Sequence, residues 1–315
     1  MGKRKRKSRN KTKDYLAYLI ARVVVVLLKC FPVRWHYVTF GFFADLFYRL
    51  SKRHRERSQR HVRLSFPEFS DRETNRIARE STRSMFYLFL EIAFTPRLIK
   101  PHSWARRIRL KNMDRTIELL LRHDQPLLML TGHFGNWEVV GYSMAALGFP
   151  SYAVARFLDN PYLNRYVMGF RERQGMTILD KRGATAMIPT LLDNDEAVSF
   201  IADQDAGRRG VFVDFFGRKA STYKSIALLA MQHEIPVIVG YGRRLGRDFR
   251  FEIGIEDVIE PADWKDVDDP LTYITQRYTT ALEDVIRRDP EQYLWTHRRW
   301  KHRPRGEEQP KDGIA

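Results

Sequence analysis

Between residues 127 and 255 short apolar runs alternate with helix-length stretches, and this alternation leaves the chain few folds to adopt. The runs fall at 127–130, 151–155, 177–179, 197–202, 211–216, 236–241 and 249–255. Helical patterns occupy 137–147, 161–174, 184–192 and 222–233, with a further one at 270–288. Buried strands that alternate with helices pair mostly in parallel, and the helices cover the sheet. The expected fold class is therefore α/β, a central mixed, mainly parallel sheet flanked by helices. With 43% hydrophobic and 13% aromatic residues, the 315-residue chain has enough apolar material for a real core, which excludes wholesale disorder.

The N-terminal part reads differently. Residues 1–13 form a dense basic block, and 15–31 (YLAYLIARVVVVLLKCF) are apolar apart from Arg22 and Lys29. The run is short for a transmembrane helix, which needs about 20 apolar residues, and a charge in mid-span is costly without a partner. A second aromatic stretch follows Pro32 at 35–50, and a basic helix at 52–63. These features favour a marginal membrane span plus interfacial helices over a buried helix pair. Ser70 and Glu73 have capping-box spacing ahead of a helix at 71–95, which Pro96 and Pro101 interrupt. An amphipathic helix at 113–123 leads into the first run. The expected organisation is a basic cytoplasmic tail (1–13), membrane-anchoring or interfacial helices (14–50), an α/β domain (51–302) and a polar tail (303–315).

The net charge of +17 calls for a polyanionic partner: nucleic acid, anionic lipid or an acidic carrier protein. No nucleic-acid motif or aromatic stacking platform accompanies the basic ends, and the basic block abuts an apolar segment, so a membrane-associated nucleic-acid-binding protein is the lesser alternative and no nucleic acid is expected. Cys30 is the single cysteine, which excludes an internal disulfide and a cysteine-based zinc site. It reads as a structural thiol.

Candidate chemistry concentrates at LLMLTGHFGNWEVVG, residues 127–141, where an apolar strand ends at a glycine and a helix begins. Five residues along one helix set His133 and Glu138 about 140° apart. They converge only if His133 precedes the helix and Glu138 lies in its first turn, with Gly132 and Gly135 supplying the break. A carboxylate so placed fixes the imidazole tautomer for proton abstraction. The amides of Gly135 and Asn136 are candidate donors to a developing oxyanion. Ser143 in GYSMA imitates a nucleophile elbow but falls inside the helix. A histidine base without an enzyme nucleophile points to direct attack by a substrate hydroxyl, with no acyl-enzyme. Asp203 and Asp205 are spaced like ordinary strand-end aspartates, so no metal and no cofactor are expected.

GHFGNWE, an H-x4-[DE] motif, resembles that of the bacterial lipid A biosynthesis (lauroyl/myristoyl) acyltransferase family, within the lysophospholipid acyltransferase superfamily. The resemblance extends to Phe66-Pro67-Glu68, to Arg156 with Asn160-Pro161, to IADQD (201–205) with GVFVDFFG (210–217) and Thr222, and to PEQYLWTHRRWK (290–301). It implies an O-acyltransferase on the cytoplasmic face of the bacterial inner membrane. Such an enzyme moves a fatty acyl chain from an acyl carrier protein thioester, or alternatively acyl-CoA, to a hydroxyl of a lipid A precursor, another glycolipid or an aminolipid. His133 would be the base and Glu138 its orienting group. Arg156, Asn160, Asp203, Gln204, Arg298 and Arg299 would be substrate-binding candidates, Asp203 and Gln204 around the active-site floor. The basic surplus would meet the acidic carrier, the phosphates of the acceptor and the anionic membrane surface.

Overall fold

The computed structural model describes residues 10–306 except 123, 156, 173 and 174. Most of the basic tail and the end of the polar tail lie outside the described residues. Four helices come first: α1 (Lys11–Lys29), α2 (Val33–Leu50), α3 (Lys52–Ser65) and α4 (Asp71–Leu98). The chain then runs β1 (Ile108–Lys111), α5 (Asp114–Arg122), β2 (Leu127–Thr131), α6 (Trp137–Ala146), β3 (Ser151–Ala155), α7 (Pro161–Arg171) and β4 (Met176–Asp180). It continues through α8 (Lys181–Leu192), β5 (Ala197–Ile201), β6 (Val211–Phe215), β7 (Arg218–Thr222), α9 (Ser225–His233), β8 (Val237–Arg244), β9 (Phe251–Ile259) and α10 (Pro270–Arg288).

Among the described residues seven strands form one sheet in the order β1-β9-β8-β2-β5-β3-β4, and β6 pairs with β7 in a separate hairpin. Every pairing in the large sheet is parallel except β8 with β9, which is the mainly parallel, mixed sheet expected. β2 lies at its centre, so its carboxyl end opens in the middle of one sheet edge, where α/β folds place ligands. One core packs α8, α9 and α10 against the sheet through residues such as Leu130, Val198, Ala227 and Tyr278. The opposite face carries α4, α5 and α6, with Leu90, Phe94, Leu119 and Tyr142 buried there.

β1 and β7 escape the apolar pattern because each carries charge, as IRLK and RKAST. β7 also takes the start of the stretch expected to be helical from 222. The capping box at Ser70 and Glu73 forms as its spacing predicts. Pro96, however, does not end α4: it stands in the last turn, and the helix runs on to Leu98. One backbone donor is lost there, while the buried Leu90, Phe94 and Thr95 hold that turn against the core.

The N-terminal span requires correction. No helix among the described residues is long and apolar enough to cross a membrane. α1 buries no residue completely, and Leu16, Ile20, Val23, Val26 and Leu27 are all exposed on it. α2 buries Tyr37, Ala44 and Tyr48 while exposing Trp35, Val38, Phe42 and Phe43. Arg22, the costly charge in a span, lies 2.8 Å from the Tyr18 hydroxyl. The two helices thus carry a polar or packed side and a continuous apolar side, the pattern of a helix lying along a surface.

Candidate active site

β2 and β5 are parallel neighbours with Thr131 opposite Ile201. His133 and Asp203 each lie two residues beyond that register pair. At an interstrand spacing of about 4.8 Å, equal offsets bring the two side chains together. Asp203 Oδ1 accepts from His133 Nδ1 at 2.7 Å, and Oδ2 accepts from the His133 backbone amide at 2.9 Å. The Asp203 side chain is 1% exposed. Burial alone would push its carboxyl up, but the imidazole beside it, the hydrogen bonds from His133 and the nearby His297 hold it well below the usual carboxylate range. In the tautomer that donates Nδ1–H to Asp203 the ring's lone pair is on Nε2, which lies 3.4 Å from the Gln204 amide nitrogen.

The turn after His133 is held by backbone contacts. Gly135 adopts φ 55°, and a Cβ there would meet the Gly242 carbonyl oxygen at 1.9 Å, so only glycine fits. A Cβ at Gly132 would find ordinary contacts at 3.5 Å; of the two glycines expected to make the break, Gly135 is the one sterically required. Gly135 N–H donates to the Gln292 carbonyl at 3.0 Å and Asn136 N–H to the Gly242 carbonyl at 2.7 Å. Both amides proposed as oxyanion donors are therefore already engaged. Asn136 is buried and caps α6, its Oδ1 accepting from Val139 N–H.

Glu138 does lie in the first turn of α6, yet it does not orient His133. The Trp137 ring packs against the imidazole, with centroids 4.7 Å apart, and Glu138 is turned toward α7. There Arg171 grips its carboxylate with both Nε, at 2.8 Å, and Nη2. Two carboxylates thus divide the roles expected of one: Asp203 aligns the ring, and Glu138 fixes Arg171. Trp137, Glu138 and Arg171 line the mouth of an apolar cavity of about 120 Å³ that runs beneath α6 along the sheet.

The other expected site residues divide similarly. Asn160 caps α7, accepting from Tyr162 and Leu163 N–H, and donates to the Asp14 carbonyl, so its amide ties α1 to α7. Gln204 is exposed beside His133. Arg298 lies near Arg57 of α3, close enough for the two guanidiniums to repel. Arg299 is buried, donating to the Ser221 carbonyl and the Thr222 hydroxyl over the Phe215 ring; it braces β7 instead of facing the cavity mouth. Arg156 lies outside the described residues. Asp205 pairs with His302 at 2.7 Å.

His297, in THRRWK (296–301), carries no local sequence signal of a site. Its ring centroid is 4.3 Å from that of His133, and its Nδ1 has no hydrogen-bond partner among the described residues. Only the proximity of the C-terminal segment to β2, shown by the Phe134–Tyr293 bridge, reveals it. His133, Asp203 and His297 are the one group among the described residues whose ligand atoms approach one another closely enough, within 4.8 Å, to hold a metal ion. The dyad hydrogen bond already uses two of those side chains.

Burial chiefly pushes His297 down to about 4, and His61, buried under the C-terminal segment, likewise to about 4. The unfolded chain protonates both near 6.5. Their stabilising effect is therefore complete above pH 6.5 and lost as pH falls toward 4. Lowering the pH from neutrality to mildly acid values should reduce unfolding free energy by about 2 kcal/mol. Urea titrations at the two pH values measure it, and an unchanged midpoint would mean that neither ring is held neutral.

Comparison with known proteins adds the family. The model of the bacterial lipid A biosynthesis acyltransferases matches residues 2–302. A lipid A biosynthesis acyltransferase of Haemophilus influenzae is 28% identical over 252 residues, covering 78% of this chain and 77% of its own length. The lipid A biosynthesis lauroyltransferase of Escherichia coli is 27% identical, covering 82% of each chain. A phosphatidylinositol mannoside acyltransferase of Mycolicibacterium smegmatis is 29% identical over 104 residues, 32% of this chain and 34% of that one.

Proposed function

Since the chain belongs to the bacterial lipid A biosynthesis acyltransferase family, we propose that it transfers a fatty acyl group from an acyl carrier protein thioester to a hydroxyl of a lipid A precursor. The observation that carries this reading is the His133–Asp203 pair, joined at 2.7 Å beside the mouth of an apolar cavity. Nε2 of His133 takes the proton of the acceptor hydroxyl as its oxygen attacks the thioester carbonyl. Asp203 steadies the imidazolium that forms. The tetrahedral intermediate collapses by breaking the carbon–sulfur bond, and the departing thiolate recovers the proton from Nε2. The exposed Gln204 amide, 3.4 Å from Nε2, is a donor beside the carbonyl oxygen as it becomes negative. No acyl-enzyme is needed, because the acceptor oxygen is the nucleophile.

The exposed apolar sides of α1 and α2, with Phe89 of α4, support peripheral attachment at the cytoplasmic face of the inner membrane in place of a span. The surplus of 55 Lys and Arg over 38 Asp and Glu favours anionic lipid headgroups, an acidic carrier protein and a phosphorylated acceptor.

The test is intact-lipid mass spectrometry after incubating the purified protein with lipid A precursors and acyl carrier protein thioesters. Transfer is expected, with His133→Ala reducing it by about a hundredfold or more. Full activity in that variant would refute the mechanism. Transfer only from acyl-CoA, or only to another glycolipid or an aminolipid, would move the reading to the second donor or acceptor class; the partial likeness to a mannoside acyltransferase is the observation behind another glycolipid as acceptor.

A further inference from the structure

The cavity beneath α6 is lined by Thr131, Glu138 and Arg171 at the carboxyl edge of the sheet and by the two methionines Met144 and Met176 toward the amino edge. β3 and β4 run parallel, pairing Ser151 with Met176 at their amino ends and Ala155 with Asp180 at their carboxyl ends. The mouth residues Thr131 and Trp137 lie at the carboxyl edge of the sheet, while Ser151, Met144 and Met176 lie toward the amino edge. From Ala155 down to Ser151 the wall descends about 13 Å. His133 touches Trp137 at the mouth, so a thioester carbonyl beside the base directs its hydrocarbon tail down this shaft.

Toward the amino edge the lining brings a glycine of α6 against a methionine of β4. Gly141 sits in the second turn of α6, where glycine costs about 1 kcal/mol relative to alanine. A Cβ there would lie 2.1 Å from Met176 Cε and 3.6 Å from its Sδ. The thioether therefore reaches from the start of β4 to the backbone of α6, and both residues belong to the cavity lining. Met176 is 7% exposed and packs with Met168 and Ile178 behind it. A methionine has three rotatable side-chain bonds and a polarizable end, so it makes a stop whose position its neighbours set.

We propose that Met176, seated on Gly141, determines the length of the acyl chain the enzyme transfers. This rests on the acyl-transfer reading and adds to it the residue pair that ends the hydrocarbon subsite. Two substitutions move the stop in opposite directions. Met176→Ala removes the thioether and deepens the shaft. Gly141→Ala puts a methyl where Met176 Cε now lies, drives the thioether into the shaft and shortens it. Each buried methylene gained or lost changes preference severalfold, so one two-carbon step amounts to roughly tenfold.

The experiment is a competition among an even-numbered series of saturated acyl carrier protein thioesters, from decanoyl to stearoyl, with products weighed by mass spectrometry. Met176→Ala is expected to shift the preferred chain upward by at least one two-carbon step, and Gly141→Ala downward. The double variant should return toward, or pass above, the native preference. Should Met176→Ala fold poorly, Met176→Val provides a smaller deepening with less loss of packing. An unchanged chain-length distribution in folded, active Met176 and Gly141 variants overturns the assignment and leaves acyl transfer intact. A native protein that transfers none of the series to any acceptor overturns the acyl-transfer reading itself, and the chain-length assignment with it.

Discussion

Asp203→Asn is expected to lower the turnover number by about a hundredfold to ten-thousandfold. The asparagine is nearly isosteric and can still accept the His133 backbone amide, so the fold should persist. Its amide, unlike a carboxylate, cannot stabilise an imidazolium, and it can present N–H to Nδ1, which would place the ring proton on Nε2. The base would then be protonated on the atom that must accept. Glu138→Gln is the informative companion. Glu138 is bound to Arg171 and not to the imidazole, so its loss should act through Arg171 and leave the pH dependence of the base in place. Turnover across a pH series separates the two variants. If Asp203→Asn retained native turnover while Glu138→Gln shifted the pH profile, the roles would have to be exchanged.

The largest stability effect should come from Glu91, 42 residues before His133 and remote from it in sequence. Its side chain is fully buried in α4, gripped by Arg244 of β8 through Nε and by Nη2 at 2.8 Å. It also accepts from the Tyr37 hydroxyl of α2 and from the Asn136 amide, each at 2.7 Å. One carboxylate therefore joins the amphipathic α2, the sheet and the cap of α6. Glu91→Ala would leave a buried guanidinium without its charge partner and deprive both the Asn136 amide and the Tyr37 hydroxyl of an acceptor. The expected loss is about 3–5 kcal/mol in denaturant unfolding. Replacing both members, as in Glu91→Leu with Arg244→Met, should recover part of that loss, because no buried charge is then left unpaired. A loss below about 1 kcal/mol in Glu91→Ala would show that water or another cation compensates the guanidinium.

Much of this molecule is readable from local pattern. Strand period, helix period and capping chemistry depend on residues a few positions apart, so the mainly parallel sheet, the capping box at Ser70 and Glu73, and the strand–turn–helix at His133 follow from local sequence. Gly135 is readable for the same reason, since a sharp break must separate β2 from α6. The polar strands β1 and β7 carry no apolar signal and are visible only through the neighbours that pair with them. Proline chemistry misleads at Pro96 because packing of Phe94 and Thr95 outweighs one missing hydrogen bond.

The partner of His133 belongs to the other category. Glu138 is five residues away in sequence and Asp203 is 70, and nothing local states that β5 lies beside β2. Strand order is set by how the whole set of apolar faces is buried, and register then makes equal offsets on adjacent strands neighbours in space. The same holds for His297, brought onto His133 by a segment that returns across the sheet, and for Met176, which meets Gly141 only after β4 is laid beside β3. By itself the sequence determined that a histidine stands at a glycine-broken junction at the carboxyl end of a buried strand. Which carboxylate aligns it, which arginine the other carboxylate holds and where the apolar shaft ends were decided by strand order and register, because hydrogen bonds of 3 Å or less require a proximity that only the completed sheet provides.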